Sequence, residues 1–145
     1  MPRYFRIEEA EGLLPRVEEH LRDAISLKAD YQKADEQLND ALRRIAMLGG
    51  STINREQILS VRAVRDTSAA RLKEIFDTIQ EIGCEVKDLD IGLIDFLTLY
   101  NGEEVYLCWK LGEHGITHWH GLQEGFPGRK PIDQEFLGNH GPQKH

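Results

Sequence analysis

Residues 75–97, IFDTIQEIGCEVKDLDIGLIDFL, carry the change of pattern that decides the fold. Up to Ile82 the apolar residues Ile75, Ile79 and Ile82 recur every three or four positions, the spacing of one helix face. Gly83 then breaks the pattern, as a glycine just past a helix end does. Beyond it the apolar runs become shorter and richer in β-branched and aromatic residues, which favours strands. Glu85 to Lys87 reads as a short strand and Ile91 to Leu97 as a longer one. The chain therefore divides into a helical first part and a sheet-forming second part, an α+β protein.

Working back from Gly83, the helical stripe extends through Leu72, Val61 and Ile58, with Ser51, Thr52 and Asn54 offering caps at its start. Gly49-Gly50 separates it from an earlier helix. From Arg16 to Leu48 there is no proline or glycine, and Leu21, Ala24, Ile25, Tyr31, Leu38, Leu42 and Ile45 recur at helical spacing. Pro15 is expected to end or kink the first turns after Phe5, or to open the long helix at its first position. The short connection makes the two helices a long antiparallel hairpin with coiled-coil packing. Alignment about Gly50 brings Asp35 near Arg65 and Ser68, a polar layer that fixes register. Two helices cannot cover each other's apolar surface, so the sheet, a second subunit or both must complete the core. A homodimer is expected.

Working forward, Glu104 to Leu111 and Ile116 to Leu122 are further strands. Asn101-Gly102 is a strong hairpin-turn signal, and Gly112-Glu113-His114-Gly115 marks a second turn. The expectation is a small antiparallel meander of three or four strands. The whole forms one domain over 1–145: a helical hairpin over 1–83, the meander and a following loop over 84–137, and a mobile tail over 138–145.

The net charge of −7 argues against nucleic acid as a partner. Residues 84–145 carry 5 basic and 10 acidic side chains, a balance that suits a cation better than a phosphate. No apolar run approaches the ~20 residues of a membrane span. The N-terminus lacks the apolar stretch of a signal peptide. Cys84 and Cys108 are the only cysteines, too few for a disulfide framework, so both thiols are expected reduced. These features point to a cytoplasmic protein.

The segments Tyr106-Leu107-Cys108-Trp109 and Thr117-His118-Trp119-His120 place a thiol, two imidazoles and two indoles close together, with Glu113 in the turn between them. His118 and His120 share one strand face. His-x-His is a frequent source of two metal ligands, and Glu113, Asp95 and Cys108 are available as further donors. The mixed set suits a divalent transition metal: zinc, nickel or iron. Register decides which groups meet. A two-residue loop pairing Gly112 with Gly115 sets Trp109 opposite His118, whereas a slip of one residue sets Cys108 opposite His120. Asp95 lies in the apolar run Leu93-Ile94-Asp95-Phe96-Leu97, where a carboxylate needs a partner; Arg129 and a metal are the two candidates. Gly125-Phe126-Pro127-Gly128-Arg129 reads as a shaped loop able to close over the hairpin, with Arg129 and Cys108 as candidate contacts to a bound small molecule. No motif in the chain specifies a reaction.

Several of these segments also form a familiar set. Glu8-Glu9-Ala10 with Leu13-Leu14-Pro15, Val86-Lys87-Asp88-Leu89-Asp90, Gly92-Leu93-Ile94-Asp95-Phe96, Val105-Tyr106-Leu107-Cys108-Trp109, Leu111-Gly112-Glu113, Trp119-His120, Gly125-Phe126 and Gly128-Arg129 together resemble a bacterial family known as domain of unknown function 2203. The resemblance implies a small cytosolic protein and carries no reaction with it. His118 falls where that family has an aromatic residue, which shifts the candidate site toward His120 with Asp95, Cys108, Glu113 and Arg129. The alternative to a metal- or ligand-binding role is a non-catalytic interaction module that dimerises through its helical hairpin.

Overall fold

The computed structural model describes residues 3–48 and 55–142. Helix α1 spans Ile7–Leu48 and α2 spans Arg55–Ile82; strands β1 (Glu85–Asp88), β2 (Leu93–Tyr100), β3 (Glu103–Lys110), β4 (His118–Gly121) and β5 (Lys130–Pro131) follow, and α3 (Gln134–Asn139) comes last. The five strands form one antiparallel sheet in sequential order. The fold is α+β with a helical hairpin, and the sheet has five strands rather than three or four. The additional strand is two residues long, too short for any periodicity to announce it. The expected Gly49-Gly50 stop and the caps at Ser51, Thr52 and Asn54 lie outside the described residues.

Pro15 neither ends α1 nor opens it, because the helix runs through it. The residue before α1 is Arg6, which has no side-chain acceptor for the helix start. Two other groups fill that role. Glu9 accepts from the Arg6 backbone N–H at 3.1 Å, and the Ile7 N–H donates to His140 Nε2 at 3.4 Å.

Two compact units make up the chain. In the unit formed by Arg22–Phe76, Ala24, Ala34 and Leu38 are buried. Arg65 Nη1 stands 3.5 Å from Asp35 Oδ1, with Ser68 buried, so the anticipated polar layer is present.

The other unit comprises residues 1–21 and 77–145. One face of its sheet, bearing Ile94, Phe96, Thr98, Val105, Leu107 and Trp109, is buried, as are Phe5 ahead of α1 and Ala10, Val17, Leu21 and Ile79 of the helices. Phe5 meets Phe96 edge to face at 5.2 Å between ring centres. The Phe5 backbone is tied to β2 twice: its N–H donates to Leu97 O at 2.8 Å, and its carbonyl accepts from Thr98 Oγ1 at 2.6 Å. Helix α3 starts where Asp133 accepts from the Phe136 N–H at 2.8 Å, and its Phe136 stacks against both Tyr100 and Trp119, which also meet each other. The end of α3 and the segment after it are hydrogen-bonded to the sheet region too, through Asn101 N to Asn139 O at 2.9 Å and Gly141 N to Leu99 O at 2.7 Å.

Asn101 and Gly102 turn β2 into β3 with φ of 54° and 79°. That left-handed pair matches the twist of a two-residue hairpin, which is why asparagine followed by glycine serves there. It pairs Tyr100 with Glu103 and sets Asp95 opposite Cys108.

Candidate functional site

The connection between β3 and β4 is longer than a tight turn, because residues 111–117 all lie outside the strands. Glu113 organises it. Its carboxylate accepts from the Lys110 N–H at 2.6 Å, its own N–H donates to Lys110 O, and its carbonyl accepts from Trp109 Nε1 at 3.0 Å. Glu11 of α1 accepts from the Ile116 N–H at 3.3 Å. The strands re-emerge in a register that neither short loop produces: Cys108 faces His118, Leu107 faces Trp119 and Tyr106 faces His120. The slip preserves parity. Cys108, His118 and His120 therefore share one face with Asp95, opposite the apolar core.

On that face the central strands bring together Asp95, Cys108 and His120, all buried, with one donor atom from each lying within 4.8 Å of the others. His120 Nε2 stands 2.9 Å from Asp95 Oδ2. On the other side of the ring, Nδ1 lies 2.8 Å from the Gly121 carbonyl oxygen. A carbonyl can only accept, so Nδ1 carries a hydrogen. One further proton then sits between Nε2 and Oδ2, on either the imidazole or the carboxyl. Asp95 Oδ1 is buried and makes no hydrogen bond. Burial pushes the Asp95 carboxyl above the usual range, opposed by His120, the Cys108 thiol and Lys87. Burial likewise pushes the Cys108 thiol up to about 12, with the Asp95 charge adding to the effect and Arg129 opposing it.

Asp95 and His120, but not Cys108, reach a cavity of about 280 Å³, whose wall also includes Lys87, Asp88, Leu93, Tyr106, Leu122, Gly125 and Phe126. Lys87 Nζ rests over the Tyr106 ring, 4.4 Å from its centre. Glu124 braces the turn behind His120, accepting from the Gly121 N–H at 2.7 Å and pairing with Lys130.

The other candidate residues form a neighbouring group. Arg129 donates through Nη2 to Glu113 Oε1 at 2.7 Å and to the Cys108 carbonyl at 3.4 Å, and it stacks near Phe126. His118 Nδ1 is 2.8 Å from Thr117 Oγ1 and 4.0 Å from Glu113 Oε2. The partner of Asp95 is thus His120, whereas Arg129 is engaged by Glu113. Lys87 and Tyr106 were not singled out from the sequence. Their alternation with Val86 and Leu107 was visible, but only the pairing of β1 with β2 and of β2 with β3 places them around one cavity.

A family described as "Uncharacterized conserved protein (DUF2203)" matches residues 3–132. The chain belongs to this family. No curated protein and no solved structure matches the chain. The DUF2203 match spans both helices and the sheet through β5, so it includes every residue of the buried trio and of the cavity wall. Among the described residues no helix is long and apolar enough to cross a membrane.

Proposed function

We propose that this chain is a metal-binding protein whose site is formed by Asp95, Cys108 and His120, with the adjoining cavity facing an open coordination position. The carrying observation is the convergence of a nitrogen, an oxygen and a sulfur donor on one buried point, where Asp95 Oδ1 has no partner. An unpaired buried carboxylate oxygen is costly, and a metal ion would relieve it. The Gly121 carbonyl supports the reading because it fixes the hydrogen on Nδ1, leaving Nε2 as the ligand atom when a metal displaces the shared proton. Zinc suits one imidazole, one carboxylate and one thiolate, with a water in the fourth position. Nickel and iron fit less well, because four-coordinate sites containing a thiolate suit zinc, which has no geometric preference of its own.

The same geometry disfavours a metal-free thiol–imidazole nucleophile. Such a pair needs a ring nitrogen directed at the thiol with its opposite nitrogen oriented by a carboxylate or amide. Here Nε2 is taken by Asp95 and Nδ1 by Gly121.

The test is metal analysis of untagged protein. About one equivalent of zinc per chain is expected, removable by chelator and restored by added zinc. His120→Ala and Cys108→Ser should each reduce the bound metal sharply while circular dichroism stays native. Protein that holds no metal and shows no thermal shift with zinc, nickel or iron would end this reading.

A second reading is favoured by Leu42, Met47, Leu48, Leu59 and Val64, which are large, apolar and exposed in the unit formed by Arg22–Phe76. In it, the helical hairpin pairs with a second copy of the chain. Sedimentation equilibrium should then report a dimer that chelator leaves intact and Leu59→Glu dissociates.

A further inference from the structure

The cavity beside Asp95 and His120 has a chemistry of its own. Its wall presents Lys87 as its cation and Leu93, Leu122 and Phe126 as apolar groups. The remaining acid in the wall, Asp88, is turned to its own loop, where Oδ1 accepts from the Asp90 N–H at 2.9 Å and the Ile91 N–H at 3.4 Å. Lys87 is held near the site from two sides, by Glu85 at 3.5 Å and by the Tyr106 ring. A divalent ion bound by one carboxylate and one thiolate has no net charge left, so the cation that can meet a ligand is Lys87, whose half-exposed pair with Glu85 has to yield to it. At about 280 Å³ the space is at the small end for ligand pockets, which run from roughly 300 to 1,000 Å³.

Resting on the metal-binding reading above, we infer that the cavity takes a small monocarboxylate: one carboxylate oxygen on the open metal position, the other toward Lys87, and a short apolar body against Leu122 and Phe126. A phosphate fits worse. A dianion calls for more than one cation, and the apolar part of the wall would be left facing its oxygens.

The experiment uses the full chain loaded with cobalt(II), whose visible spectrum reports both thiolate ligation and changes at the open position. Butyrate, benzoate and inorganic phosphate are titrated in turn. Butyrate or benzoate should alter the cobalt bands saturably, and Lys87→Met should weaken that response by about tenfold or more while cobalt uptake is retained. Cobalt bands that ignore both carboxylates would overturn the inference and leave the metal site standing. A response to phosphate alone would overturn the carboxylate class, and an unchanged response in Lys87→Met would remove Lys87 from it. Failure to take up cobalt, zinc or nickel would defeat the metal-binding reading and this inference with it.

Discussion

His120 Nε2 and Asp95 Oδ2 stand 2.9 Å apart with side-chain exposures of 3% and 1%, so one hydrogen is held between two atoms that water hardly reaches. Removing either partner strands the other in a medium that solvates it poorly. His120→Ala and Asp95→Ala should each lower the unfolding free energy by about 3–5 kcal/mol. The double variant Asp95→Ala with His120→Ala should lose far less than the sum of the two. Urea denaturation reads all three, and additive losses would show that the two side chains are not coupled.

If the trio binds zinc, free metal at a hundred times its dissociation constant should stabilise the native protein by about 2.7 kcal/mol. The increment should vanish in His120→Ala, whatever that variant's baseline stability. Parallel urea melts with and without zinc measure it, and an equal increment in wild type and variant would place the metal elsewhere.

Thr98 has no exposed surface, and its hydroxyl donates to the Phe5 carbonyl at 2.6 Å. Thr98→Val keeps the shape and removes the donor, leaving a backbone oxygen unsatisfied. A cost of about 1–3 kcal/mol is expected in thermal or urea unfolding, and a neutral result would mean that Phe5 O finds another donor.

Cys84 is buried, and that burial pushes its thiol up from 9.0 to about 12. The unfolded chain releases this proton near pH 9, whereas the folded chain holds it until about pH 12. Between those values the native state binds more protons than the unfolded state, so stability is intact below pH 9 and falls as pH rises through the window. Cys84→Ala should flatten that part of the pH–stability curve. In native protein near neutral pH, Cys84 should also resist alkylation, as followed by mass spectrometry.

Gly92 has φ of 70°, and an added Cβ would lie 2.5 Å from Leu111 Cβ. The Leu111 N–H also donates to Gly92 O at 2.9 Å, so neither backbone can withdraw without losing a bond. Gly92→Ala should destabilise by more than about 1 kcal/mol in a denaturant melt.

The parts of this fold that could be read from the sequence are those with a period. The helical stripes before Gly83, the Asn101-Gly102 turn and the Asp35–Arg65 layer follow from spacing alone. Pro15 misled because a proline's local preference was outweighed by the helix on either side of it. β5 and α3 escaped because two and six residues hold too little pattern, and Phe136 is held by stacking against rings far away in sequence. At the site, the residue types and the face shared by His118 and His120 were legible. The register was not, since it depends on Glu113 folding back onto Lys110 and on Glu11 reaching Ile116. In the resulting register His118 and Glu113 stand apart from the trio, and Asp95 meets His120 rather than Arg129.

Phe5 and Gly141 donate to carbonyls two residues apart on β2, Leu97 and Leu99. Such carbonyls are about 7 Å apart along a strand. The early and late parts of the backbone thus meet like the two ends of a clasp. A short peptide bridge between these neighbourhoods would close the chain into a ring. Its main effect would fall on the denatured ensemble, which would lose freedom that the native state has already given up.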